Sequence, residues 1–357
     1  MTIPLYDRLM AFEKLGKVLK DHDINVNSGS FDWHNETSSL ASAVLKSSLH
    51  NKWFTIPSIN SALSGIAFML TSGSLYQWTN HYPIRDCETP ETVAVIMAGN
   101  IPLVGFHDFL CVLISGKVFL GKLSSDDPFL LPAITEMLVE IEPRFASFIH
   151  FTQEKLKDFD AVIATGSNNT ARYFDYYFAG YPHIIRKNRN SIAIIDGTES
   201  TDDIAALGDD IFMFFGLGCR NVSKVYLPEN YDISQLFEGF ANFGSLKNHS
   251  AYFNNYEYNK ANLLINNTPH FDNGFLILKQ DQSFSSPVSV LHYDTYKNTA
   301  DLAGEIALNK DSLQCIVSKN GEWKDSLPFG QAQYPGLSDF ADGVDTMLFL
   351  SKLSHIE

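Results

Sequence analysis

The stretch ETVAVIMAGNIPLVGFHDFLCVLISGKVFLGKLSS (91–125) indicates the fold class. It opens with an apolar β-rich run (91–100), continues through a segment with helical spacing (106–116) and ends with a second β-rich run (117–124). A strand, a helix and a strand in this order are the repeating unit of a parallel sheet. The turn after the first strand carries Gly99 and Asn100, and a helix follows it. Such a turn could be a plain strand-to-helix connection, or it could offer backbone and amide donors to an oxyanion or a phosphate.

The same alternation continues on both sides of a change near residue 185. Before it come a helical segment and the buried run FDAVIATGS (159–167), followed by another helix; after it, NSIAIID (190–196) opens a second series. That series continues through a helix to NVSKVYLP (221–228) and ends in β-rich runs near 274–280 and 289–294. The pattern predicts an α/β protein with two domains, which agrees with a length of 357 residues at about 150 per domain.

Composition excludes several classes of function. The formal net charge of −15 argues against a nucleic-acid or anionic-membrane binder, because phosphates would be repelled over most of the surface. The most apolar stretch, 101–120, is interrupted by His107, Asp108 and Lys117, so we expect no membrane span. The N-terminus has no apolar signal segment and reads as an amphipathic helix, which favours a cytoplasmic protein.

Cysteine and histidine spacing predicts neither a disulfide framework nor a metal site. Cys87, Cys111, Cys219 and Cys315 are far apart, and the histidines show no ligand spacing. Cys219 differs in context, because it follows the glycines of FFGLG and precedes a strand. A thiolate there could attack a carbonyl or thioester, although most lone cysteines are small buried residues. We expect the other three to be core residues.

Two further loops carry candidate residues. Gly166 and Ser167 lie between a buried strand and a helix, where backbone amides could meet a pyrophosphate or simply form a turn. The loop does not contain the full G-x-G-x-x-G pattern. A second segment, DSLPFGQAQYPG (325–336), reads on its own as a long surface turn.

The ordered set of an Asn turn, a lysine after the next strand, a Gly-Ser turn, G-x-G-C and P-F-G resembles the aldehyde dehydrogenase superfamily. It is most similar to the acyl-CoA reductase branch, the LuxC family of fatty-acyl reductases. The resemblance implies a Rossmann-type cofactor domain, residues 1–185 completed by about 330–357, and a second α/β catalytic domain, residues 186–330, carrying the cysteine. It implies an enzyme that reduces an acyl-CoA or other acyl thioester to the aldehyde through an acyl-cysteine.

The resemblance also assigns roles to individual residues. It makes Cys219 the nucleophile and Asn100 an oxyanion donor. Residues for the cofactor and for the substrate pocket follow from matching motifs: Lys122, Ser124, Ser125, Thr165, Gly166 and Ser167 for the cofactor, and Phe215, Phe329 and Gly330 for the pocket.

The cofactor and the reaction direction depend on departures from the superfamily pattern. Ser125 stands where the superfamily carries a carboxylate that would repel a 2′-phosphate, so the resemblance implies NADPH as cofactor. It also implies CoA as the leaving group, and the histidine spacing predicts no metal. Ile185 stands where aldehyde-oxidising members carry a general-base glutamate, which favours CoA-linked chemistry over hydrolysis. Alternatives are a CoA-acylating or other aldehyde dehydrogenase working oxidatively, or a non-catalytic member of the fold. An acyl-carrier donor, an acyl-activating partner and a homo-oligomer are compatible with the family.

The roles of three further features have more than one interpretation. The run Arg186, Lys187 and Arg189 is expected to form a solvated loop between domains, or else an electropositive entrance for phosphates. His107 is expected to be a core residue, with a general-acid role as the alternative. The segment DQSFSSPV (281–288) stands where the superfamily contacts the nicotinamide ribose, and Gln282 or Ser283 could replace that contact.

Overall fold

The computed structural model describes residues 2–21, 39–71 and 73–353. The chain forms two compact units, Met1–Lys187 with Pro335–Glu357 as unit 1 and Asn188–Tyr334 as unit 2. These bounds fall a few residues beyond the sequence-based boundaries at 185 and 330, because the last strand of unit 1 extends to Arg186. The role assigned to each unit stays a prediction.

The described residues contain α-helices and β-strands that alternate over most of the chain. The helices are α1 (Leu5–Asp21), α2 (Ser39–His50), α3 (Ile56–Met69), α4 (Ser74–Thr79), α5 (Phe106–Ile114), α6 (Leu130–Ile141), α7 (Asn168–Tyr177), α8 (Thr201–Phe212), α9 (Ser234–Gly239), α10 (Ser250–Ile265), α11 (Thr299–Leu308) and α12 (Thr346–Leu353). The strands are β1 (Thr92–Ile96), β2 (Val118–Lys122), β3 (Ile149–Phe151), β4 (Ala161–Thr165), β5 (His183–Arg186), β6 (Asn190–Ile194), β7 (Val222–Pro228), β8 (Phe271–Asp272), β9 (Ile277–Gln280), β10 (Val290–Tyr296), β11 (Leu313–Ser318) and β12 (Leu327–Pro328).

Unit 1 is built on a five-stranded parallel sheet with the order β3-β2-β1-β4-β5. The apolar and β-branched residues of β1 make it a central strand, with Val93, Ala94 and Val95 fully buried. The predicted N-terminal helix is α1, and its Phe12 packs edge-on against Phe109 of α5. Burying a phenylalanine of this kind stabilises the fold by about 2–3 kcal/mol.

Unit 2 is built on a seven-stranded sheet with the order β12-β11-β6-β7-β10-β9-β8, in which only β8 runs antiparallel to its neighbour. The start of α8 is fixed by a capping box, in which Ser200 and Asp203 each bond the other's backbone N–H. α8 buries Ile204, Leu207 and Ile211 against this sheet. The α/β class predicted from the sequence is therefore confirmed in both units.

Candidate functional site

The carboxyl edge of the unit 1 sheet carries the residues predicted to bind a cofactor. The connections from β1 lead to β2 on one side, while β4 pairs with β1 on the other. In open parallel sheets, ligands bind at such a switch point, in the crevice beyond the carboxyl ends of the strands. Asn100 follows β1, Lys122 ends β2 and Thr165 ends β4, so the fold brings these three segments to one edge.

The loop after β1 is held tightly against the loop after β2. Leu103 has a φ of 57°, and its N–H donates to the Asp127 carboxylate at 2.9 Å. A Cβ on Gly99 would lie 2.5 Å from Ser124 Oγ, so the glycine permits the close approach. Asn100 is exposed on this loop. Helix α5 begins at Phe106, in agreement with the helical spacing of 106–116.

Asp127 is a residue that sequence reasoning missed. It is 7% exposed, and its burial raises the pKa of the carboxyl to about 6. Its bond to Leu103 keeps a left-handed, non-glycine residue in the turn that presents Asn100. The local sequence, Asp126 and Asp127 after Ser124 and Ser125, does not indicate this contact. The partner of Asp127 is a backbone N–H that lies 24 residues earlier in the chain.

The segment from Lys122 to Asp126 presents polar side chains at the same edge. Lys122 Nζ donates to the Glu154 carbonyl at 3.2 Å. Ser124 Oγ accepts the Asp126 N–H at 3.2 Å, and the Ser125 carbonyl accepts from His50 at 2.7 Å. Ser125 and Asp126 are both exposed, so a carboxylate lies one residue away from the position where the superfamily carries it.

Helix α7 begins at the carboxyl end of β4. Ser167 is its N-cap, and its Oγ accepts the Thr170 N–H at 3.2 Å. Gly166 N–H donates to the Arg186 carbonyl at 3.3 Å, which fixes the turn beside β5. The N-terminus of a ten-residue helix carries partial positive charge and suits a phosphate group. With the switch point and Lys122, this edge fits a dinucleotide.

Only part of the basic run forms a loop: Lys187 and Arg189 lie in the connection between β5 and β6, as predicted, whereas Arg186 does not. Arg186 lies in β5 and is 5% exposed; it pairs through both guanidinium ends with Asp108, and its Nη2 donates to Thr346 at 2.9 Å. The expectation of a solvated loop is therefore wrong for Arg186, because this residue ends a buried strand. Its charge is tolerated there because Asp108 pairs with it. Lys187 is exposed and lies 3.8 Å from Asp175.

His107 is half-buried in unit 1. Its Nε2 lies 3.0 Å from the Leu337 carbonyl, and its ring contacts Trp78 and Phe340. Burial lowers the pKa of the imidazole. This environment matches the structural interpretation of His107 and gives no support to a general-acid role.

In unit 2, Cys219 lies in an exposed turn that follows a strained segment. Phe214, Phe215 and Gly216 have φ values of 53°, 59° and 77°, and the first two are left-handed without being glycine. Cys219 is exposed, and β7 begins three residues later at Val222. Strain of this kind persists only where neighbouring contacts impose it, and it occurs often at functional sites.

Two buried polar side chains impose the conformation of this turn. Asn221 accepts the Gly218 N–H at 2.8 Å, and its Nδ2 donates to the carbonyls of Asp210 at 3.1 Å and Met213 at 2.8 Å. Ser191 Oγ donates to the Cys219 carbonyl at 2.9 Å. Sequence reasoning named neither residue, although an asparagine two positions after the cysteine could have suggested a turn.

The P-F-G segment is tied to α8 by a buried carboxylate. Asp210 accepts the N–H groups of Gly330 at 2.7 Å and Ala332 at 2.8 Å, and its burial raises the pKa of the carboxyl to about 7. Gly330 has a φ of 78°, a conformation that favours glycine. Phe329 is buried in the core of unit 2, and Phe215 stacks on the His249 ring at 4.2 Å.

The remaining cysteines occupy different environments. Cys111 is fully buried, and burial raises the pKa of its thiol well above the usual range. Cys87 and Cys315 are half-buried. Cys315 packs against the core of unit 2, so the expectation of three core cysteines is wrong for Cys87 alone. Cys315 Sγ lies 3.0 Å from Ser191 Oγ and borders a cavity of about 740 Å³ beside α11.

The described ranges hold neither a cluster of metal-ligating side chains nor a helix that could span a membrane. Residues 2–21, 39–71 and 73–353 contain no group of three histidine, cysteine or acidic side chains placed to hold a metal ion. Over the same ranges, no helix has the length and apolar character needed to cross a membrane.

The chain is similar in sequence to a family of acyl-CoA reductases. Residues 58–241 match the family model described as acyl-CoA reductase (LuxC). A long-chain acyl-protein thioester reductase of Photorhabdus laumondii is 22% identical over 150 residues, 38% of this chain and 31% of the relative. The match therefore spans less than a third of that relative's length.

Solved structures of low sequence identity are similar over most of the chain. An indole-3-acetaldehyde dehydrogenase with NAD⁺ has a TM-score of 0.64 at 13% identity, over 94% of this chain and 76% of its own. A Mycobacterium tuberculosis aldehyde dehydrogenase with NAD⁺ has a TM-score of 0.64 at 14% identity, over 92% and 76%. An E. coli NADP-dependent enzyme has a TM-score of 0.62 at 12% identity, over 92% and 76%.

Proposed function

The chain belongs to the acyl-CoA reductase (LuxC) family and has the aldehyde dehydrogenase fold, and from this premise we propose that it reduces an acyl thioester to the aldehyde. Cys219 is the nucleophile, NADPH is the reductant, and CoA or a protein thiol is the leaving group. The observation that carries the proposal is the Cys219 turn, an exposed thiol whose backbone is fixed by Ser191 and Asn221.

The first half-reaction transfers the acyl group to the protein. The Cys219 thiolate attacks the carbonyl carbon of the thioester, and the carbonyl electron pair moves onto oxygen. The Cys219 N–H and the Asn100 side-chain amide donate to that oxyanion, roles that come from the family motifs. When the carbonyl re-forms, the bond to the thiol of the donor breaks, and that thiolate leaves.

The second half-reaction releases the aldehyde. When bound, NADPH supplies a hydride to the acyl carbon. The resulting thiohemiacetal oxygen re-forms the carbonyl, the bond to Cys219 breaks, and the thiolate is regenerated. Lys122, Ser125 and the N-terminus of α7 would hold the cofactor at the carboxyl edge of unit 1.

We expect the acyl-cysteine to be reduced and not hydrolysed because of one residue in β5, Ile185. Ile185 occupies the position of the general-base glutamate and packs with the apolar cluster around Ala94 and Val162. An apolar side chain cannot activate water, so the acyl-cysteine should persist until it is reduced. The half-buried Phe215 and its aromatic neighbours in unit 2 support an apolar acyl group.

The test is to incubate the protein with a long-chain acyl-CoA without NADPH and to locate added mass by peptide mass spectrometry. We expect one acyl group on Cys219, one equivalent of released CoA thiol, and aldehyde after NADPH is added. Cys219→Ser should take up no thioester, while Cys315→Ser should behave as wild type. An unmodified Cys219, or acylation confined to Cys87 or Cys315, would refute the proposal.

A further inference from the structure

Three side chains of the unit 2 sheet bond the crossover between β9 and β10, residues 281–288. Each bonds one of three consecutive carbonyl oxygens in the crossover. The bonds are Lys224 Nζ to Gln282 at 3.0 Å, His292 Nδ1 to Ser283 at 3.0 Å, and Ser223 Oγ to Phe284 at 2.6 Å. We call Ser223, Lys224 and His292 the carbonyl clamp.

The strand register explains how three side chains reach one segment. Lys224 of β7 lies directly opposite His292 of β10. On the other side of β7, Ser191 pairs with Val222 and Ile192 pairs with Lys224, which leaves Ser223 as an extra residue. Such a bulge re-aims a side chain, and Ser223 and Lys224 bond the same crossover although they are adjacent.

Lys224 is the most unusual member of the clamp. Its side chain is 0% exposed, and its ammonium lies 3.7 Å from the Asp294 carboxylate, 4.7 Å from the Tyr226 ring centre and 5.3 Å from that of Phe284. Burial lowers the pKa of this lysine, with Asp294 acting in the opposite direction. Burying an ammonium costs several kcal/mol unless it is paired, and an apolar residue would often stabilise a core equally well. A buried cation bonded to the crossover therefore points to a positional role.

The clamp is continuous with the Cys219 turn. Ser223 follows Cys219 by four residues, and its Oγ also lies 3.5 Å from the Ser191 carbonyl. Ser191 Oγ in turn bonds the Cys219 carbonyl at 2.9 Å. Because the clamp uses carbonyl oxygens, the side chains of Gln282, Ser283 and Ser285 remain exposed on the crossover.

We propose that Lys224 is a positioning residue for the reaction at Cys219, holding the crossover 281–288 in a fixed place relative to the strand that leads from the thiol. This inference rests on the proposed acyl-thioester reduction. Loss of the clamp should affect the rate of turnover more than the binding of substrate, because the thiol stays exposed while its surroundings loosen.

The experiment compares Lys224→Met, Lys224→Arg and a matched control, Lys260→Met, in the full chain. Lys260 pairs with Asp272 and donates to the Tyr256 hydroxyl in unit 2. We expect Lys224→Met to lower kcat at least tenfold with KM for acyl-CoA within threefold of wild type. Lys224→Arg, which retains a cationic donor, should recover kcat to within threefold, and Lys260→Met should leave it unchanged.

Hydrogen exchange provides a readout that does not depend on activity. In Lys224→Met, the amides of 282–286 should exchange at least tenfold faster, while those of α10 exchange as in wild type. Should Lys224→Met fail to fold, Ser223→Ala, which removes the bond to the Phe284 carbonyl and the longer one to the Ser191 carbonyl, should show the same local change in exchange and the same split between kcat and KM.

The two proposals fail in different ways. If wild type forms no acyl adduct on Cys219, the proposed function fails, whatever the exchange of the crossover shows. If the adduct forms but both Lys224→Met and Ser223→Ala retain wild-type kcat or wild-type exchange at 282–286, the positioning role of Lys224 is overturned.

Discussion

Asn221→Ala should loosen the Cys219 turn selectively. In the folded chain, Asn221 is 3% exposed, accepts the Gly218 N–H and donates to two well-placed carbonyls, those of Asp210 and Met213. Alanine removes these three bonds, and a longer one of 3.4 Å to the Ile211 carbonyl, and leaves the backbone groups without this partner. At about 1 kcal/mol for each bond, the expected loss is about 3 kcal/mol. For a unit of this size, that corresponds to a fall in Tm of about 6–12 °C.

Two measurements check this magnitude. Hydrogen exchange followed by mass spectrometry should show amides of 213–221 exchanging about 100-fold faster, the equivalent of about 3 kcal/mol in local opening. Calorimetry should show the fall in Tm. The matched control is Asn255→Ala, which removes one bond to the Ala251 carbonyl within α10 and should change stability by less than about 1 kcal/mol.

The result that would refute the reasoning is equally specific. If Asn221→Ala melts within 2 °C of Asn255→Ala, where a difference of about 4 °C or more is expected, the buried amide does not hold the turn. The left-handed conformation of Phe214 and Phe215 would then need another cause. Acylation of Cys219 by acyl-CoA should slow in parallel with the loosening, because the thiol loses its fixed backbone.

Three further predictions concern oxyanion, cofactor and pH. Asn100→Ala should lower kcat by about 100- to 1,000-fold with an unchanged Tm, since one oxyanion donor is worth about 3 kcal/mol; kcat within threefold of wild type would remove Asn100 from the mechanism. Ser125→Glu should raise the ratio of KM for NADPH to KM for NADH about tenfold through charge repulsion, measured by steady-state kinetics; an unchanged ratio would contradict the placement of the 2′-phosphate. Folding raises the pKa of Asp210 from 3.8 to about 7, so the native state holds this proton more tightly and loses stability as pH rises from about 4 to about 7. The stability of wild type minus that of Asp210→Asn should therefore be about 2–3 kcal/mol larger at pH 5 than at pH 8, and equal differences by calorimetry would contradict it.

The order of elements could be read from the sequence because it depends on local patterns. Apolar runs such as 92–96 and 161–165 are long enough to mark central strands, and Ser200 with Asp203 marks a helix start. The short strand β5 was missed, because its pattern of alternate burial spans only four residues. That omission led to the wrong expectation for Arg186, which looks like a surface cation unless its partner Asp108 is known.

The candidate site divides in the same way. Cys219, Asn100 and the Gly166–Ser167 turn could be named from the sequence, because glycine, asparagine and serine at strand ends have a local conformational reason. Asp210, Asn221 and Ser191 could not, because each acts through a backbone group that its own neighbourhood does not reveal. Asp210, for example, bonds N–H groups 120 and 122 residues further along the chain.

By itself, the sequence determined the α/β class, the two series of strands and helices, and the identity of the candidate thiol. These follow from periodicity and from residue types at turns, which act over a few residues. The tertiary structure alone decided which buried polar groups meet: Asp127 with Leu103, Arg186 with Asp108, and Lys224 with the crossover carbonyls. A buried charge or amide must find its partner wherever the fold brings one, so its function depends on contacts that no local pattern encodes.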